Sequence, residues 1–595
     1  MWFHRPVQAP SELIPRWAIL ATCFLVAVGM TLPVWTATGP SLIGHWPALD
    51  LAGSVWAHWW TADALSRGVD PFVGTHSFYP VGMDPVLQFN LVDAMVGAPW
   101  VWGFGPRVGY NLAATAALIT TGLAGTWLAR GVGASRAGGL LCGVSIQASS
   151  FVALELYEGR ISQVCLVFWL LALGGLVRLI RDRGGMGLAL LTGLAAALAA
   201  GVYWYHGLAL LLAGLCIVGA SRAELRRQIW TRLGVSIALG LLLCLPFVLA
   251  LLENWGDLPG VGRMVEDPRL AGNPDHLGSG VKIAAQHSRW LLWPLIERAG
   301  VDAGHQLSLV LLALAGLAVY RKVPGRGRWL MVAGIGWLLA LGPKLHGYSE
   351  ATDISLPFGW IQSLVPAMER MWWPQRFELL SVVGVSVLAG LGLDRFIAGR
   401  ARRRLWLLAA LVLSLVDAPL RSGVLPVEAN PVPRVSAELY EGLEGPLLTV
   451  PVVPSVLVST RAMYLQTHHG QPTLGGDGEH LPSHRPPALD ELIEGNDLLR
   501  ALRTLSHHGE VEATIQPEAV DALIEKGFVY AVTDPAVYPD EAGRLWTETH
   551  GRLFRTVFGQ PMHEAGGGAV WLLGPIEGPV QIDLRLATGS QRRRR

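Results

Sequence analysis

The sequence predicts a polytopic α-helical membrane protein with about eleven spans, followed by a C-terminal soluble α/β domain on the outer side. Three observations predict it. Hydrophobic residues make up 51% of the chain and charged residues only 15%, with a mean hydropathy of +0.40, whereas soluble domains carry nearer a quarter charged residues. Apolar runs of membrane-spanning length recur along the chain. The basic residues between those runs fall on alternate loops, the pattern of a fixed orientation in a bilayer. With 595 residues, there is room for many spans and a soluble domain.

The runs begin with 18–35, read as a retained first span rather than a cleaved signal. They continue at 109–128, 137–154, 162–179, 186–202, 206–220, 234–252, 305–320, 329–342, 377–393 and 405–419. The stretch 91–105 is apolar but short and broken by Pro99, so it is assigned to the interface and not counted as a span. Placing the N-terminal tail 1–16 inside then puts the basic clusters at 130–136, 178–183, 222–232, 321–328 and 395–404 inside as well. Counting 91–105 as a span would invert every one of them. The membrane domain is therefore expected over 17–425, in a bacterial cytoplasmic membrane, with its first outside loop at 36–107. The terminal domain, 426–580, is expected outside, with a basic tail at 581–595.

The terminal domain shows β-like runs at 447–454, 528–533 and 569–573 and helical patterns at 488–505 and 517–526. The five cysteines, Cys23, Cys142, Cys165, Cys216 and Cys244, sit in apolar runs without metal or disulfide spacing. A net charge of +1 gives no reason to expect nucleic acid. Neither a P-loop nor a strand-linked GxGxxG is present.

Chemistry is expected in the outside segments, above all in 50–90. This stretch gathers Asp50, His58, Asp63, Asp70, His76, Tyr79, Asp84 and Asn90 around Trp56, Trp59 and Trp60. If 50–60 is helical, Asp50, Ser54 and His58 share one face, and a carboxylate near an imidazole is a base or half a metal site; the alternative is a wet polar face. The segment from His76 through Tyr79 to Asp84 is a compact turn, either a binding corner or a structural one. Glu155, Glu158 and Arg160 form a charged knot that could equally snorkel to water. Among Tyr203, Trp204, Tyr205 and His206, an aromatic belt accounts for all but His206. Arg376, with Arg370, suits a lipid-linked phosphate, because guanidinium presents a planar fork to phosphoryl oxygens; anchoring to ordinary headgroups is the other reading. His468, His469, His480 and His484 match no standard metal spacing.

Taken together, Trp59-Trp60, Asp70-Pro71-Phe72, Tyr79-Pro80-Val81-Gly82, Glu158-Gly159-Arg160, Trp373-Pro374-Gln375-Arg376-Phe377 and Tyr464-Leu465-Gln466-Thr467-His468-His469-Gly470 resemble the GT-C superfamily of membrane glycosyltransferases. The bacterial branch related to protein-mannosyltransferase-like proteins is the one intended. The resemblance implies an inverting enzyme that takes a sugar from a polyprenyl-phosphate donor to a glycan, lipid or protein acceptor at the outer face. The family's acid in the first outside loop acts as base or acceptor binder, and Asp50 is the matching position. The family's frequent acidic pair after the first span is not seen; Asp50 stands alone, which implies no metal and no other cofactor. His58, Asp70, His76, Tyr79, Glu158, Arg160, His206, Arg370 and Arg376 are the expected substrate-binding residues. The rival is a non-catalytic lipid or glycan transporter or envelope-assembly scaffold. Spans nearly free of charge and the lack of an internal repeat favour the surface enzyme.

The topology is testable directly. Reporter fusions after Arg183, Arg227 and Arg403 are expected to read cytoplasm, and one after Arg434 the outside. An inside signal from the terminal domain would put the expected chemistry on the wrong face.

Overall fold

The computed structural model describes residues 13–45, 49–83, 91–221, 226–253, 307–346, 351–364, 374–422, 427–476, 485–538 and 542–586. It divides into two compact units, one comprising Met1–His45 and Asn111–Asn430, the other Trp46–Tyr110 and Pro431–Arg595.

The first unit is helical, and every apolar run read from the sequence falls on a helix or on two consecutive helices. Five stretches are long and apolar enough to cross a membrane: Leu91–Val132, Arg136–Tyr157, Ile161–Ile180, Arg227–Leu249 and Pro374–Ile397. Arg16–Met30, Met186–Val202, Trp204–Gly219 and Leu309–Tyr320 are apolar but shorter. Some expected spans are interrupted. The run 137–154 becomes Arg136–Gln147 and Ser150–Tyr157, because Ser149 caps the second helix by accepting from Val152 N. Within Leu91–Val132 the chain turns at Gly105, whose φ of 75° and ψ of 170° are non-helical and suit glycine. The 91–105 stretch is therefore a helix of its own ahead of the longer one.

The helix Glu378–Ile397 forms the centre of this unit, and every residue from Glu378 to Leu393 is buried. It packs against Leu309–Tyr320, Arg326–Ala340 and Arg136–Gln147. Backbones approach closely here: a Cβ on Gly392 would lie 1.9 Å from Leu314 O, and one on Gly390 2.4 Å from Gly138 O. Small residues of this kind replace the hydrophobic effect as the means of packing helices inside a bilayer. By contrast Arg227–Glu253 turns Leu241, Leu242 and Leu249 outward, as a lipid-facing helix does.

The second unit mixes helices and short strands. Leu447–Thr449 lies parallel to Tyr530–Thr533, which pairs antiparallel with Gly568–Leu572, and that strand with His563–Ala565. A separate antiparallel ribbon joins Glu510–Ile515 to Val580–Arg585. Amphipathic helices cover these strands. In Asp497–His508, Leu498, Leu499, Leu502 and Leu505 face the core at helical spacing. Asn496 caps this helix from Leu498 N and Leu499 N, both at 3.1 Å, and Gly509 closes it with φ of 72°.

One expected boundary moves. The loop 36–107 was grouped with the membrane domain, but from Trp46 onward it folds with the terminal domain. The physical reason lies in its indoles. Trp56 and Trp60 are fully buried and Trp59 nearly so, in one core with Leu448, Val450 and Met463 of the terminal domain. They are not a membrane-boundary belt. The helix Leu49–Arg67 packs along Val456–His469, and the Trp56 indole N–H donates to Gln466 Oε1 at 2.7 Å.

Candidate active site

The helix Leu49–Arg67 places Asp50, Ser54 and His58 on one face, as their spacing predicts. Asp50 is exposed in the first turn, where the positive end of the helix dipole favours a carboxylate. His58 is buried. Its Nδ1–H donates to Ser54 O at 2.8 Å, so Nε2 carries the lone pair, and that atom has no partner. Burial lowers the His58 pKa to about 4, partly countered by the Ser54 bond, and the ring is neutral. Its edge meets the Tyr110 ring at 5.7 Å.

Tyr110 is fully buried and lies within electrostatic reach of two carboxylates, Asp93 first and then Asp50. Asp93 opens the helix that begins at Leu91. It is only 8% exposed, and its Oδ1 is buried without a partner. Sequence reading missed Asp93 because the stretch around it was assigned to the interface on its apolarity. The available signal was the same apolarity: a lone carboxylate in such a run is expensive and marks a function.

The other first-loop residues hold the unit together. Asp70 Oδ1 accepts from Phe72 N at 2.9 Å and closes an exposed turn. Tyr79 donates to Lys526 O at 2.7 Å and sets its ring edge-on to Phe528. His76 lies 4.9 Å from the Trp60 ring, and its carbonyl accepts from Gln466 Nε2 at 2.6 Å and Thr473 N at 2.9 Å. Burial, reinforced by Arg67, lowers the His76 pKa to about 4. Among the described residues, no group of His, Cys, Asp and Glu is arranged to hold a metal. His469 instead stacks on Tyr440 at 4.5 Å. Asp84, Asn90, Arg370, Met371, Trp372, Trp373, His480 and His484 lie outside the described residues.

The first unit gathers a second group. Arg160 pairs with buried Glu155 at 3.2 Å and with Glu158 at 3.8 Å, so the charged knot is an ion-pair cluster of one guanidinium and two carboxylates. The expected aromatic belt is reduced to Trp204, which is exposed; Tyr203 and Tyr205 are buried. Their rings stack at 5.1 Å, and the Arg376 guanidinium sits 5.2 Å from one centroid and 5.1 Å from the other. Tyr203 also lies within electrostatic reach of Glu155 and Arg160, which brings the knot and the arginine to one place. The Tyr203 hydroxyl, both ring nitrogens of His206 and Gln375 Oε1 are buried without partners among the described residues. Such atoms cost roughly 1–3 kcal/mol each if nothing binds them.

A chain of this architecture has solved counterparts. It is similar to the arabinofuranosyltransferase AftD from Mycobacteria with a TM-score of 0.56 and 15% identity, over 95% of this chain and 42% of that one. It is similar to the Archaeoglobus fulgidus oligosaccharyltransferase, solved tethered to an acceptor peptide, with a TM-score of 0.50 and 12% identity, over 96% of this chain and 75% of that one. The chain thus spans less than half the length of the AftD chain. Both are GT-C glycosyltransferases, and this protein has the GT-C fold. At the level of sequence, no family model and no curated protein matches.

The buried imidazoles give a pH dependence. His58 and His76 are neutral when folded and titrate near their ordinary 6.5 when unfolded. The unfolded chain therefore binds more protons between about pH 6.5 and about pH 4. The stability gained by burying them neutral is complete above that window and falls as pH drops through it. Thermal unfolding of the purified protein is expected at lower temperature as pH falls from about 7 to about 4.5, and His76→Gln is expected to flatten part of the slope. An unchanged slope in the variant would show that His76 is not the titrating group.

Proposed function

We propose that the protein transfers a hexosyl or pentosyl unit from a polyprenyl-phosphate donor to a hydroxyl of an envelope glycan, lipid or protein acceptor. In this reading it works at the outer face of a bacterial cytoplasmic membrane, with its N-terminus in the cytoplasm. The observation that carries the reading is the surroundings of Arg376. A guanidinium held over two tyrosine faces, near buried polar atoms that have no partner among the described residues, suits a phosphoryl group and the first hydroxyls of the sugar beside it. The GT-C fold of the solved counterparts supports it.

The chemistry follows from the groups present. An acceptor oxygen attacks the anomeric carbon from the face opposite the phosphate and forms the new glycosidic bond with inversion. The bond from that carbon to the phosphate oxygen breaks, and its electron pair leaves with the polyprenyl phosphate. Arg376 balances the charge of the departing phosphate, with the Tyr203 hydroxyl as a second donor; Arg160, Glu158 and His206 contact the sugar. Asp50 takes the acceptor proton. Its exposure suits that role, since an acceptor must reach it. His58, packed on Tyr110, and buried Asp93, within electrostatic reach of the same ring, supply further polar groups on this unit. Phosphate leaves without a general acid, and the guanidinium supplies the positive charge, so the reading needs no divalent metal; a chelator is expected to leave activity unchanged.

Two variants test the roles. Asp50→Asn keeps shape but removes the base, and turnover is expected to fall about a hundred- to ten-thousand-fold while expression and donor binding persist. Arg376→Lys keeps the charge and loses the fork, so donor use weakens, and Arg376→Ala loses donor binding. Turnover is read by mass spectrometry of lipid-linked sugars and envelope glycans in cells carrying each variant. Full activity of Asp50→Asn would remove the base assignment. Envelope glycans unchanged by deletion of the gene would favour a transporter or scaffold.

A further inference from the structure

A second polar pocket lies in the helical unit, at the end where the basic loops collect. The loops 130–136, 178–183 and 321–328 carry nine basic residues against one acid, Asp182, and Asp182 pairs with Arg232 at 2.6 Å. Between them is a pocket lined by Arg181, Arg328 and Trp329 together with Val132, Ile180 and Ile217. The two guanidiniums come from different elements, the end of Val167–Ile180 and the first turn of Arg326–Ala340.

Their placement is built in. Gly133, at φ of +108°, leaves room where a Cβ would lie 3.1 Å from Arg181 Nη1. Arg181 caps Gly131 O at 2.9 Å, which fixes where its guanidinium lies. The neighbouring Arg178 is held flat on the Trp127 ring at 3.5 Å and donates to Trp127 O at 2.6 Å. The start of Arg326–Ala340 adds the positive end of a helix dipole to the same pocket. A fixed fork, a second guanidinium from the neighbouring element and a helix start, beside apolar side chains, have the chemistry of a site for one phosphodiester carrying hydrocarbon chains.

We propose that this pocket binds the headgroup phosphate of an anionic phospholipid from the surrounding leaflet, with Arg181 and Arg328 on the phosphate and an acyl chain along Val132, Ile180 and Ile217. The sequence places this end at the cytoplasmic face, where anionic lipid collects and where basic pockets between helices take such headgroups. The site is separate from the transfer reading and stands or falls without it.

The test uses the full chain purified in detergent and then delipidated. Native mass spectrometry and thermal unfolding are recorded with phosphatidylglycerol, with phosphatidylcholine and with inorganic phosphate. Phosphatidylglycerol is expected to be retained and to raise the unfolding midpoint, and phosphatidylcholine to do neither. Arg328→Gln is expected to weaken phosphatidylglycerol retention about tenfold, the loss of one charge-assisted contact, while its transfer activity is unchanged. Equal retention of the two lipids by the unmutated protein would overturn the proposal without need of a variant. So would undiminished retention in a folded Arg328→Gln, or a full midpoint shift from inorganic phosphate alone, which would make the ligand a free anion.

Discussion

A chain that crosses a bilayer can leave few polar groups unmatched, because no water is present to take the place of a missing partner. That constraint orders this structure. Arg160 is paired with Glu155 and Glu158. Asp394 is bonded by the Ser135 amide at 2.6 Å and by its hydroxyl. Gln147 Nε2 donates to Cys23 O at 2.8 Å, tying two helices. Against this background the exceptions carry information. Tyr203, His206 and Gln375 sit together in the chain segments flanking Arg376 and leave buried atoms unmatched. Other buried atoms, such as Gln147 Oε1 and Trp169 Nε1, also lack partners among the described residues; what sets this group apart is its place beside a guanidinium, where a ligand could complete it.

The second unit obeys the same rule by different means. Gln466 is satisfied throughout: its carbonyl takes the Trp56 N–H, and its amide reaches His76 O and Gln471 O at 2.6 and 3.0 Å. One buried side chain thereby fixes the helix Leu49–Arg67, the turn at His76 and the end of Val456–His469. The position of Asp50 follows from that clamp, since it rides on the same helix two turns before His58. Trp56 and Trp60, stacked at 6.0 Å, make the helix rigid along its length. Loops that carry function need a rigid scaffold behind them, and here the terminal domain supplies it.

The helices were legible because a bilayer demands a run of apolar residues and the runs are visible one at a time. The i, i+4, i+8 face of Asp50, Ser54 and His58 was legible for the same reason: helical periodicity is local. What the sequence hid was everything set by pairing across long separations. Trp56 and Gln466 are 410 residues apart, and no local pattern tells a buried indole from one at a membrane boundary. The same holds for Tyr203 and Tyr205, which composition assigns to a belt and packing assigns to Arg376. The ribbon of Glu510–Ile515 and Val580–Arg585 escaped notice because alternation over six residues is weak when flanked by amphipathic helices. Asp93 was passed over on hydropathy, although the cost of a carboxylate in an apolar stretch argues the other way.

Asp50 and Asp93 differ in exposure, and in the proposed reading the difference gives them different work. A base that must meet an incoming hydroxyl has to be reachable, and its charge is best supported at a helix N-terminus; Asp50 has both properties. Asp93 is sealed in, within electrostatic reach of the Tyr110 phenol, whose ring packs on His58. A buried imidazole nitrogen that can only accept matches a donor, a water or a hydroxyl. In the proposed reading the His58 nitrogen, on the same helix face as Asp50, takes a hydrogen from the acceptor side. That is the polarity a transfer to an alcohol needs, and it is opposite to the cationic surroundings of Arg376 in the other unit. One fold thus carries two chemically distinct groups, one suited to a phosphate and the other to a hydroxyl.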